Sequence, residues 1–86
     1  MTPPPGAPGP GRQAWPSDPD ERLGRLVHDL RTPLTIVQGF AELLERGASS
    51  LDEARRSEYL GRIAAAGREM KEILDEERED RLSREG

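Results

Sequence analysis

From residue 23 the apolar side chains fall at Leu23, Val27, Leu30, Leu34, Val37, Ala41 and Leu44, at steps of 4, 3, 4, 3, 4 and 3. A strand cannot use that spacing, because its side chains alternate every second residue. The pattern commits this stretch to one long helix with an unbroken apolar seam. Leu26 and Phe40 widen the seam, which fits a bundle helix better than a bare two-stranded coil. The helix start is written in SDPDE: Asp18 suits the N-cap, Pro19 the first helical position and Glu21 the third. These acids also complement the positive end of the helix dipole. Gly47 suits the stop, so the spacing predicts a helix over about residues 19–46.

A turn, GASSLDE, follows, in which Ser50 and Glu53 stand at capping-box spacing. A second seam then runs through Leu60, Ile63, Gly67, Met70 and Leu74, flanked by Ala66 and Ile73, which predicts a helix over about 51–77. Glu77 and Arg81 take the next seam positions, so residues 77–86 are expected to be a charged, fraying tail. Residues 1–17, rich in Pro and Gly and without periodicity, are expected to be a disordered leader, with Trp15 its one adhesive residue. Residues 18–76 form the folded unit. Helices joined by so short a turn lie antiparallel. The fold class is therefore all-α: an antiparallel two-helix hairpin. One hairpin buries each helix on one side only, so two are expected to dimerise into a four-helix bundle.

Composition excludes several other classes. The chain has 86 residues, 35% of them charged and 33% hydrophobic, which rules out a large core. A formal net charge of −4, with no basic patch, argues against nucleic acid as a partner. With no cysteine and one histidine, disulfides, thiolate metal sites and His-rich zinc sites are excluded. No stretch approaches the ~20 apolar residues of a membrane span, and no signal-peptide core stands at the N-terminus. The expectation is a soluble cytoplasmic protein.

The single histidine, His28, lies one residue off the seam in HDLRTP. Asp29 and Thr32 are expected further round, towards solvent, with Thr32 one turn from His28 on the same face. An imidazole is ordinarily neutral for the most part at pH 7. A neighbouring carboxylate can hold one ring N–H and leave the other nitrogen free to attack phosphorus. Pro33 has no N–H and crowds the Asp29 carbonyl, a local conflict that costs about 3 kcal/mol when nothing compensates. Spacing alone leaves two readings open: an ordinary surface histidine beside a tolerated kink, or a nucleophile beside a functional one.

The stretch HDLRTPLTIVQGFAELL, residues 28–44, closely resembles the H-box of sensor histidine kinases, with histidine, acid, threonine and proline in register. EYLGRIAAAGREMKEIL, at 58–74, resembles the second helix of the same family more loosely. The resemblance covers about residues 20–76. It implies a dimerisation and histidine-phosphotransfer hairpin. His28 then matches the phosphoacceptor, which takes the γ-phosphate of ATP and passes it to a response regulator aspartate. Asp29 matches the acid that orients and activates the histidine. Thr32 matches a position that in many members helps place a water for dephosphorylating the regulator. Pro33 matches the proline that kinks the first helix.

The family's ATP-binding domain, with its Asn-containing and Gly-rich boxes, has no counterpart in these 86 residues, and the expectation is a hairpin without a preceding sensor segment or membrane anchor. No autonomous kinase activity is expected, and ATP and Mg enter only through a kinase domain supplied in trans. The expected partners are a second copy of the chain, a response regulator receiver domain and that ATP-binding domain. The alternative is a non-catalytic interaction module that pairs with a full-length histidine kinase or docks a response regulator near Arg31 and Thr32. A third reading is an inactive remnant of a kinase gene.

Overall fold

The computed structural model describes residues 14–47 and 49–85, so most of the expected leader lies outside the described residues. Two helices fill it: α1, Pro19–Arg46, and α2, Glu53–Glu85. They pack on each other along their lengths as a hairpin.

The start of α1 follows its sequence signal. Asp18 is extended, and its carboxylate accepts the Glu21 N–H at 3.0 Å, with Pro19 next in the first turn. At the far end the Gly47 N–H donates to the Leu43 carbonyl. Gly47 is needed there for space rather than for a left-handed backbone. A Cβ at this position would stand 3.1 Å from the Leu51 side chain and 3.2 Å from the Leu43 oxygen. The second cap differs from expectation. The Ser50 hydroxyl is spent on the Gly47 carbonyl, and Asp52 caps α2 by accepting the Arg55 N–H at 2.7 Å. The helix accordingly starts at Glu53.

Burial shows which part of the α1 seam faces α2. Leu26, Leu30, Pro33, Val37, Phe40 and Leu44 are buried or half-buried, whereas Leu23, Val27, Leu34 and Ala41 stay exposed. On α2 the covered stripe is Tyr59, Ile63, Ala66, Met70 and Ile73, and Leu60 and Leu74 are exposed. Each helix thus carries apolar positions that the hairpin leaves uncovered.

Two contacts fix the register. Arg22 bonds Glu77, and the Phe40 and Tyr59 rings lie 5.2 Å apart. Pro33 stands eleven residues on from Arg22, and Ala66 eleven residues back from Glu77, so the two lie level across the hairpin. They are the most deeply covered residues of the interface: Pro33 is fully buried and Ala66 is 4% exposed. A small side chain on α2 makes room for the ring on α1. Pro33 is therefore a packing residue within a helix that continues through it, with Thr35 returning its hydroxyl to the Arg31 carbonyl at 2.8 Å. Pro33→Ala restores an N–H for the Asp29 carbonyl, regaining about 3 kcal/mol. It also removes two buried methylenes, at about 0.8 kcal/mol each. The balance predicts a gain of about 1 kcal/mol in thermal or urea unfolding.

The charged end of α2 does not stop at residue 77 but continues as helix to Glu85. The reason is Arg22. Its guanidinium donates to Glu77 Oε2 at 2.7 Å, to the Glu77 carbonyl at 3.1 Å and to Asp80 Oδ2 at 2.8 Å. Arg81 and Arg84 pair with the same two acids from α2 itself. An ionic clasp replaces the apolar seam at the open end. The hydrogen bonds from Arg22 hold the carboxyls of Glu77 and Asp80 below their ordinary values. A depressed carboxyl contributes stability that is whole above its unfolded pKa, about 4, and is lost as pH falls through the folded value. The midpoint of thermal unfolding should fall below about pH 4, and Glu77→Gln should flatten that dependence.

Candidate functional site

A rotation of about 100° per residue places Arg25, His28, Asp29 and Thr32 on one flank of α1 and Leu23, Val27, Leu34 and Ala41 on the other, with the covered stripe between them. His28 is the outermost of its group, its side chain 86% exposed. Asp29 is not further out, as its place beside the heptad implied. It sits inward of His28 and half-buried, because the covered stripe is centred on Leu26, Pro33 and Phe40 rather than on the heptad seam. With Thr32, these residues line an open cleft of 360 Å³ whose far wall is Glu69, Ile73 and Glu76 of α2. Pro33 is not part of it.

The Asp29 carboxylate is bidentate. Oδ1 lies 3.1 Å from His28 Nδ1, and Oδ2 accepts from Arg25 Nε at 3.3 Å. A carboxylate only accepts, so a neutral His28 must carry its proton on Nδ1. The lone pair is then on Nε2 of an exposed ring. This arrangement suits nucleophilic attack on an electrophile brought by another molecule, since both partners must reach the ring. Nothing in it suits a metal: among the described residues, no group of three His, Cys, Asp or Glu could hold one. Among those residues too, no helix is long and apolar enough to cross a membrane.

The geometry brings together His28, Asp29 and Thr32, and adds residues that the pattern along α1 did not single out. Arg25 was legible as an i, i+4 partner of Asp29. Glu69 and Glu76 needed the hairpin register.

Known proteins carry the same pattern. The model of the His Kinase A (phospho-acceptor) domain matches residues 20–80. A sensor histidine kinase of Bacillus subtilis, SpaK, is 33% identical over 54 residues, which are 63% of this chain and 11% of that protein. A sensor histidine kinase of Mycobacterium tuberculosis, TrcS, is 39% identical over 64 residues, 69% of this chain and 12% of that protein. The chain thus spans about an eighth or less of the length of these relatives. No solved structure matches it. The match runs from the first turn of α1 to the ionic clasp on α2, nearly the whole hairpin, and on that extent the chain belongs to the His Kinase A phospho-acceptor domain family.

Proposed function

We propose that His28 accepts a phosphoryl group on Nε2 and passes it to the aspartate of a response regulator receiver domain. The observation that carries this reading is the exposed ring whose Nδ1 faces the Asp29 carboxylate at 3.1 Å. The Nε2 lone pair attacks the γ-phosphorus of ATP held by a kinase domain supplied in trans. A P–N bond forms, the bond to the bridging oxygen breaks and ADP leaves. Asp29 holds the Nδ1 proton of the resulting phosphoimidazolium. In the second step a receiver carboxylate attacks the same phosphorus, the P–N bond breaks and neutral imidazole returns. Thr32, one turn away on the cleft, would bear on a water that later hydrolyses the receiver's acyl phosphate. The chain loaded with phosphate, mixed with receiver domains from its own organism, should lose the label to one of them within minutes. A loaded chain that every receiver leaves untouched would overturn the transfer step.

The family's hairpins are dimerisation modules, and we propose a homodimer that covers the flank of α1 opposite His28. Val27, 59% exposed there, marks that flank. Sedimentation equilibrium should give a dimer that Val27→Glu dissociates. The same uncovered stripe favours the second reading, an interaction module pairing with another histidine kinase. In that case His28→Gln leaves pairing intact and Val27→Glu abolishes it.

A further inference from the structure

We propose that Arg25 is a positioning residue for His28, acting through Asp29, and that its seat is the Trp15 ring and the Ala14 carbonyl of the segment entering α1. The proposal deepens the reading of His28 as phosphoacceptor and rests on it.

An exposed i, i+4 ion pair by itself fixes a carboxylate poorly, because both side chains keep their freedom and water screens them. Arg25 is held differently. Its guanidinium carbon lies 4.3 Å from the Trp15 ring centroid, Nη1 donates to the Ala14 carbonyl at 2.7 Å, and Nε donates to Asp29 at 3.3 Å. One face of the fork is stacked and two of its edges are bonded, so little rotamer freedom remains.

The seat is itself fixed. Trp15 is 7% exposed. Its carbonyl accepts from Arg84 Nη2 at 2.7 Å, and the next carbonyl, that of Pro16, accepts from Arg22 Nη1 at 2.8 Å. Arg22 also lies over the ring, at 5.5 Å. Arginines from both helices thus hold the segment against the open end of the hairpin. A continuous chain of contacts runs from Trp15 to Arg25, to Asp29 and to His28. With Arg25 immobile, Asp29 keeps the rotamer that presents Oδ1 to Nδ1. With Arg25 free, the carboxylate turns to solvent and the ring loses its fixed tautomer.

The chain has one tryptophan and one histidine, so each end of this path has an unambiguous reporter. Long-range proton–nitrogen correlation spectra of the ¹⁵N-labelled full chain, about two units above the ordinary imidazole pKa of about 6.5, read the His28 tautomer. Trp15 emission reads the seat, and phosphoramidate serves as a phosphodonor that needs no kinase domain. It acts by forming P–Nε2 as its own P–N bond breaks and ammonia leaves.

The wild type should hold the Nδ1–H tautomer. Arg25→Gln and Trp15→Ala should both lose it and slow phosphorylation about tenfold, the lower end of what removing a group behind a metal-bound imidazole costs. Trp15→Phe, which keeps a ring face, should retain both. Arg25→Lys should not restore them, since an ammonium lacks the planar fork. Arg46→Gln, a matched loss of positive charge at the other end of α1, should change neither, and circular dichroism should show equal helicity throughout. An Arg25→Gln chain with the wild-type tautomer, or with a shifted tautomer and an unchanged rate, would overturn the proposal. If instead loaded His28 passes phosphate to no receiver, the functional reading fails while the tautomer still decides the link from Arg25.

Discussion

His28→Gln should remove phosphorylation of this chain completely and leave its fold unchanged. Glutamine keeps a polar side chain of similar reach but has no nucleophilic ring nitrogen. The loss is therefore chemical rather than a matter of positioning. The structural cost is small because the ring is solvent-exposed and makes its one bond to a neighbour that Arg25 also holds. Exposed substitutions of this kind usually stay within about 0.5 kcal/mol. With an ATP-binding domain of a sensor histidine kinase, ATP and Mg²⁺ in trans, the wild-type chain should gain a phosphate that acid releases and alkali does not. His28→Gln should gain none, with the same helicity and unfolding midpoint. Label surviving on the variant would assign the phosphate to another residue.

The second large effect lies at the level of the fold. Ala66→Leu puts a branched side chain at a position 4% exposed and level with the fully buried Pro33. Overpacking a tight contact costs about 1–3 kcal/mol. A core of this size supplies only about 3–5 kcal/mol in all, so the variant should lose a large share of its stability and a corresponding part of its urea midpoint. Ala65→Leu, one residue round the helix and exposed, should move the midpoint little. Equal midpoints for the two variants would mean that Pro33 and Ala66 do not meet. The same substitution tests whether the site depends on the packing behind it. Glu69 and Ile73, on the far wall of the cleft, follow Ala66 within two turns of α2, so a helix displaced at Ala66 carries them away from His28.

Much of this architecture was legible in the residues. The seam from Leu23 to Leu44 located α1, and Asp18 and Pro19 located its start, because apolar period and cap chemistry are local. The inward face was not legible at the same resolution. Leu30, Val37 and Leu44 turn towards α2, but Leu23, Val27, Leu34 and Ala41 do not, and a heptad cannot say which of its two positions a partner in the same chain will take. Asp29 was misplaced for the same reason. Glu77 and Arg81 looked like the end of the seam because the partner of Glu77, Arg22, is more than fifty residues away in sequence. Trp15 looked like part of a leader because three arginines that hold it converge only in the folded hairpin. For His28 itself, periodicity stopped at an exposed histidine beside an acid. The H-box resemblance supplied the chemistry, and the geometry then showed which ring nitrogen faces the carboxylate.

Phosphate transfer to His28 is tested most directly by the intact mass of the protein purified from its own cells at neutral pH, with a brief acid treatment as control. The expected result is a single phosphate increment that disappears in acid and is absent from His28→Gln. An increment that survives acid, or one that His28→Gln retains, would contradict it.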